Sequence, residues 1–308
     1  MRFFRKTNID FMGKRRWWYI ISATVIGIGL ISLFTKGLDF GIDFLGGTEL
    51  VVRFERDVEV GAIRSTMERT GFGRAEIKSF GAPNEVLIRT TEQAEGGTIG
   101  ERMRAGLAAD FPDNPFTVLR EDKIGPKIGA ELRRDAVYAI VASLVAILLY
   151  IAFRFKFIYG VGAVVALFHD VVLTLGLVSL FNGIVPGFNL EIDQNMIAAL
   201  LTLVGLSVND TVVIFDRIRE NLKVHRSMGF VELINRSIND TLSRTIITSG
   251  SVFLVTLILL IFGGEVNRGF AFALTVGIST GTYSTIAIAS AVVVEWYERN
   301  KGKVKVTA

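Results

Sequence analysis

The sequence predicts a membrane protein of six transmembrane α-helices, with a small ferredoxin-like α+β domain inserted between the first helix and the second. Three observations carry that reading. Six apolar runs are each about as long as a helix needs to cross a hydrocarbon core of ~30 Å. The stretch between the first two runs switches to the periodicity of strands and short helices. Lysine and arginine gather in alternate loops, as membrane topology requires. Half of the 308 residues are hydrophobic and 21% are charged, with a mean hydropathy of +0.46. A single soluble core has no need of apolar runs of this length.

Residues 1–16 form a basic N-terminal segment, and residues 17–34 the first apolar run. A signal peptide would be shorter and followed by a small-x-small cleavage site. None follows at 32–39, so an uncleaved anchor is expected. Residues 35–135 form the inserted domain. Leu50, Val52 and Phe54 fall on alternate positions, as a half-buried strand requires. Val60, Ile63 and Met67 share a helical face. Residues 75–80 and 85–90 read as strands joined across 81–84. Met103, Leu107 and Phe111 mark a second helix, and residues 116–120 a last strand. The order βαββαβ is that of a ferredoxin-like fold. Residues 125–129 (GPKIG) are expected to form the hinge back into the membrane.

Five further runs lie within residues 136–294: 136–153, 157–181, 195–215, 245–262 and 270–294. The 216–244 loop is amphipathic. Phe230, Leu233, Ile234 and Ile238 repeat at helical spacing, so their face lies either on the membrane surface or against the protein's own helices, the commoner use. Residues 295–308 form the tail. Positive charge sits at Arg2, Arg5, Lys6, Lys14, Arg15 and Arg16, and at Arg154 and Lys156. It recurs at Arg217, Arg219, Lys223, Arg226, Arg236 and Arg244, and in the tail at Arg299, Lys301, Lys303 and Lys305. The loop at 182–194 has none, and 263–269 has only Arg268. The positive-inside rule therefore places both termini and the 216–244 loop in the cytoplasm, and the inserted domain outside. The net charge of +4 sits beside apolar runs, which suits an anionic lipid surface rather than nucleic acid.

Several chemistries are excluded. There is no cysteine, hence no disulfide or thiolate metal site. His169 and His225 are the only histidines and form no zinc-hydrolase motif, and no phosphate-binding loop occurs. An enzyme is not expected, nor a cofactor, nor work driven by ATP bound to this chain.

The informative residues are the polar ones inside apolar runs. Asp210 is six residues before Asp216, roughly 9 Å inside the cytoplasmic end. A carboxylate there either takes up a proton or pairs with a cation. Alternation between those states carries protons, whereas a static polar knot glues helices together. Transport is the favoured reading. Ser207 and Asn209 lie beside it. Arg244, at the start of the fifth helix, is the candidate cation, although from the residues alone a topology-setting arginine is the slightly favoured reading there. Thr245, Thr248, Ser249 and Ser251 either line a wet path or pack helices. His169 and Asp170, mid-way along the third helix, form either a proton relay or a mutually fixed pair. Thr275, Ser279, Thr280, Thr282, Ser284 and Thr285 leave the same two alternatives open on the sixth.

The stretch GLSVNDTVVIFDRIREN at 205–221 resembles the signature of the SecF family, membrane subunits of the bacterial Sec protein-export machinery. GIDFLGGT at 41–48, GPKIGAEL at 125–132, FHDV at 168–171 and LSRTIITSGS at 242–251 support it in the same order across nearly the whole chain. The resemblance implies the resistance-nodulation-division superfamily, so that these six helices are half of a bundle. It implies a partner, SecD, that supplies the other half, and a bacterial inner-membrane location. Together the two are expected to use proton flow to assist unfolded polypeptides leaving SecYEG, with YajC a further subunit. Protons are then the coupling ion, and the positions of Asp210 and Arg244 are the ones the family requires. Gly41, Gly46 and Gly47 would join the first helix to the domain, with Asp43 structural rather than protonic. Half of a small-molecule exporter and a non-conducting scaffold are the alternatives.

Overall fold

The computed structural model describes residues 7–92, 98–155, 157–184 and 188–300. Arg2, Arg5, Lys6, Lys156, Lys301, Lys303, Lys305 and part of the 182–194 loop lie outside the described residues. Among the described residues, six helices are long and apolar enough to cross a membrane.

The first, α1, spans Arg15–Thr35. A single turn, α2 (Ile42–Leu45), leads into the inserted domain. Its elements are β1 (Gly47–Phe54), α3 (Val60–Arg69), β2 (Glu76–Phe80), β3 (Ala82–Thr90), α4 (Thr98–Asp110) and β4 (Phe116–Ile124). The sheet order is β2-β3-β1-β4, antiparallel throughout, which is the predicted ferredoxin-like arrangement. Leu50, Val52 and Phe54 bury one face of β1 against Ile63, Met67, Met103 and Leu107.

Three details differ from expectation. The β2–β3 connection is not a four-residue loop. Phe80 pairs with Ala82 around Gly81 alone, at φ +77°, a conformation that glycine adopts without strain. The last strand continues past Arg120 to Ile124, because its C-terminal half pairs with the start of β1. β1 itself is buried on both faces from Gly47 to Val52. Its second face carries Glu49 and is turned toward the helix bundle.

Polar contacts dock that face. Arg89, buried, donates to Glu49 at 2.6 Å and Glu76 at 3.2 Å, and pairs with Glu191 from the bundle. Lys78 reaches Glu76 at 2.6 Å and Glu191 at 3.1 Å. Burial alone would pull the pKa of Arg89 down. The Glu191 and Glu49 carboxylates overcome it and push the pKa up, so the cation is held charged. A polar cleft of about 420 Å³ lies beside this cluster, lined by Asp43, Glu49, Arg89, Glu191 and Glu265.

The remaining helices are α5 (Pro126–Arg154), α6 (Phe157–Phe181), α7 (Gln194–Val224), α8 (Phe230–Phe262), α9 (Gly264–Ser284) and α10 (Ser290–Arg299). A π-helical stretch, Thr285–Ala289, joins the last two into one span. The GPKIG segment is not a free hinge: Gly125 is the N-cap and Pro126 opens α5, where a proline's fixed φ and missing N–H cost nothing. Nor is 216–244 a separate loop. α7 continues to Val224, and α8 runs from Phe230 unbroken into the apolar run. Phe230, Leu233, Ile234 and Ile238 are buried beside Phe155, Phe215 and Ile218, so the amphipathic face packs on the protein's own helices. By contrast Val141, Leu148, Leu254, Val255 and Ile258 on α5 and α8 are exposed, as a lipid or partner face requires.

Close approach of α1 and α6 depends on two glycines. A Cβ at Gly29 would meet the Cα of Gly176 at 2.9 Å, and small residues are what membrane helices use at such crossings. Residues 9–12 are strapped to α8. Asn235 accepts from the backbone N–H groups of Phe11 and Met12 at 3.0 Å. Asn239 accepts from the Ile9 N–H at 2.9 Å and donates to its carbonyl at 2.8 Å.

Candidate functional site

Among the described residues, Asp170 and Asp210 are the carboxylates buried in the helix bundle, and the structure gives them different company. Asp170 on α6 is 1% exposed. Its Oδ2 accepts from Ser207 of α7 at 2.6 Å and from Ser284 of α9 at 2.8 Å. Its Oδ1 is 3.0 Å from His169 Nδ1. The other imidazole nitrogen, Nε2, is 3.0 Å from Ser22 of α1. Ser22 is 2.9 Å from the Tyr283 hydroxyl, which donates to the Trp18 carbonyl at 2.7 Å. The result is a closed polar chain through α1, α6, α7 and α9. A buried network of this kind is rigid only when every member is satisfied, as here.

Asp210 on α7 is also buried, at 7%, but among the described residues it has one side-chain donor. Ser249 of α8 donates to its Oδ2 at 2.5 Å. Arg244, one turn and a residue earlier on α8, lies within electrostatic reach. Among the described residues it makes no ion pair with Asp210, and its side chain is exposed. The expected Asp210–Arg244 juxtaposition is thus one of proximity and not of contact.

The other predicted residues separate. Ser207 is turned to Asp170, not to Asp210, because α6 and α9 close on that face of α7. Asn209 is exposed beside Asp210. Thr248 is exposed and donates to the backbone carbonyl of Arg244 at 2.9 Å, one turn back on its own helix. Asn209, Arg244 and Thr248 therefore border an open seam at α7 and α8, with Asp210 just inside it. Residues that the sequence reading did not connect to either carboxylate are Ser22, Tyr283 and the Thr211–Thr285 pair, at 2.9 Å. Their signal was only a hydroxyl within an apolar run, the commonest helix-packing device.

At the domain junction the glycine motif has a backbone role. Gly46 and Gly47 have φ of +74° and +137°. A Cβ on Gly47 would come within 2.3 Å of the Thr90 carbonyl. Gly41 donates its N–H to the Ile192 carbonyl at 2.9 Å. Asp43 accepts from the Gln194 N–H at 2.9 Å, and Asp193 from the Met196 N–H at 2.7 Å. These two carboxylates satisfy orphan N–H groups at the start of α7. Burial raises the pKa of Asp193, opposed in part by its bond to Met196. Among the described residues no group of three or more His, Cys, Asp or Glu is placed to hold a metal ion.

Comparison with known proteins bears on this arrangement. Residues 108–299 match the family described as protein export membrane protein SecD/SecF, C-terminal, and residues 31–58 match the SecD/SecF GG motif. The protein translocase subunit SecF of Rhodothermus marinus is 47% identical over 295 residues, covering 96% of this chain and 95% of that one. The SecDF subunit of Thermus thermophilus is 43% identical over 305 residues, covering 96% of this chain and 40% of that one. A crystal structure of Thermus thermophilus SecDF, described as a translocon-associated membrane protein, matches with a TM-score of 0.83 at 42% identity. That match covers 95% of this chain and 39% of the longer one.

Proposed function

The chain belongs to the SecF family of protein translocase subunits, and from that premise we propose that it couples proton flow to polypeptide export. It does so with SecD supplying the second half of the bundle, assisting passage through SecYEG across a bacterial inner membrane. Both termini then face the cytoplasm, and the sheet domain faces outward. SecYEG, YajC and the emerging unfolded polypeptide are the further partners, and the proton is the coupling ion, with no cofactor needed. The Thermus SecDF chain, which carries both parts in one polypeptide by name, supports the SecD pairing.

The observation that carries the reading is Asp210: buried, held by one hydroxyl, and close to an arginine that is not bound to it. A hydroxyl suits both states of a carboxyl group, since Ser249 donates to the ionised form and accepts from the protonated one. Arg244 offers compensation when the proton leaves. One charge moved through 100 mV of membrane potential is worth about 2.3 kcal/mol, enough to bias an equilibrium between two arrangements of the complex. Asp210 lies inside an open seam, where a partner's helices would complete its surroundings.

The test is Asp210→Asn, with SecD co-purification measured beside export into inverted membrane vesicles. The expected result is intact association and loss of the gradient-dependent part of export. Gradient-dependent export by the variant would sink the reading. Loss of association along with export would favour a scaffold instead.

A further inference from the structure

We propose that Asp170 is a positioning residue for Asp210, fixing the rotation of α7 through Ser207, with the Thr211–Thr285 contact as a second pin. The proposal rests on the reading of Asp210 as the proton-exchanging group.

The geometry begins with α7. At about 100° per residue, Ser207 and Thr211 lie on one face, some 40° apart, and Asp210 lies about 60° from Ser207 on the opposite flank. The pins and the working carboxylate therefore point to different neighbours. Ser207 donates to Asp170 on α6 at 2.6 Å, and Thr211 meets Thr285 at the start of the π-helical stretch at 2.9 Å. Asp210 faces Ser249 on α8 at 2.5 Å. A side-chain tip ~5 Å from the helix axis sweeps about 0.9 Å for a 10° rotation. That displacement is enough to break a hydroxyl–carboxylate bond, whose useful range ends near 3 Å. Asp210 keeps its single donor only if α7 does not turn.

Asp170 is built to prevent the turn. It takes Ser207 and Ser284 on one oxygen and His169 on the other. His169 is in turn tied to Ser22 on α1. Gly281 brings α9 directly onto the pin: a Cβ there would meet the Ser207 Cβ at 3.1 Å and the Asp170 Oδ2 at 3.6 Å. Asp170 and Asp210 share no hydrogen-bond partner among the described residues, so the effect of Asp170 reaches the site through the helix. Arg244 on α8 is the charged group within reach of Asp210, and it stays in place in every variant below.

The experiment labels Asp210 with a hydrophobic carbodiimide, which reacts with protonated carboxyls in membranes, across a pH series. The full chain is purified with its partner and read by mass spectrometry. Asp170→Leu, which removes both acceptor oxygens at similar volume, and Thr211→Val should each shift the labelling midpoint by about one pH unit. Labelling should persist to higher pH, because the ionised carboxylate has lost its hydroxyl donor. Thr211→Ser keeps the pin and should retain the parental midpoint. If Asp170→Leu does not fold, the isosteric Thr211→Val decides. A parental midpoint in the folded Thr211→Val and Asp170→Leu proteins would overturn the positioning role and leave the functional reading standing. An unvariant protein whose Asp210 is never labelled would overturn both.

Discussion

Asp170 and Asp210 are both buried carboxylates in apolar helices, yet they are held in opposite ways. Asp170 has donors from three residues and sits among four of the chain's own helices. Asp210 has one donor and sits at a seam bordered by exposed Asn209, Arg244 and Thr248. On the proposed reading the more deeply buried of the two is the structural one. Depth in the membrane alone does not identify the carboxylate that exchanges protons. How many of its acceptor positions the protein has already filled is the better guide, because a saturated carboxylate gains nothing from a proton that it would not lose in hydrogen bonds.

The sharpest way to break the comparison is to delete each side chain. Asp170→Ala leaves Ser207, Ser284 and His169 buried without their acceptor, at 1–3 kcal/mol for each unsatisfied group that cannot find another. A loss of about 4 kcal/mol is expected in reversible unfolding from mixed micelles. Asp210→Ala orphans only Ser249, and about 1 kcal/mol or less should be lost. Equal losses would erase the distinction.

The same principle extends to the outer domain, where Arg89 is the saturated centre. Arg89→Met removes the buried cation between Glu49 and Glu191 and leaves them to Arg120 and Lys78, so the loss should fall below the ~3–5 kcal/mol of an uncompensated buried pair. Hydrogen exchange should rise along β1 and β3 and in the residues around Glu191, while the bundle interior stays protected. Unchanged exchange at these strands would mean that the domain is held by its chain connections alone.

The smallest effect concerns the start of α7. Asp193→Ala removes an N-cap and should cost about 1 kcal/mol. Asp193→Asn keeps the cap and removes a carboxylate whose pKa burial raises. The folded chain therefore binds that proton more tightly than the unfolded chain. The penalty is absent below the unfolded value of about 3.9, and it is complete once the pH passes the folded value. Asp193→Asn should accordingly match or exceed the parent in stability at neutral pH and lose that advantage as the pH falls. A cap-sized loss at neutral pH would show that the negative charge itself is needed at this helix terminus.

Much of this architecture was legible in the sequence, for physical reasons. An apolar run long enough for a bilayer has few other uses, so all six spans were readable. The alternation of Leu50, Val52 and Phe54 and the 3–4 spacing of Ile63 and Met67 gave the domain its topology. Features that depend on a distant polar partner were not legible. Arg89 is an ordinary strand arginine until Glu191 arrives from the bundle. Asn235 and Asn239 are surface residues of a helix until residues 9–12 lie across them. Ser207 and Asp210 are neighbours in sequence, and only the packing of α6 and α9 on one flank and α8 on the other sends them to different carboxylate networks. The depth of Asp170 could be read from FHDV, but its saturation could not, since two of its donors come from other helices.

The central claim is that Asp210, and not Asp170, is the carboxylate that changes protonation. Infrared difference spectra recorded across a pH step on the membrane-reconstituted complex measure this directly, through the band of a buried protonated carboxyl. The band should vanish in Asp210→Asn and survive in Asp170→Asn, whose amide oxygen can still accept from Ser207. A band that survives in Asp210→Asn and vanishes in Asp170→Asn would contradict the assignment of the two roles.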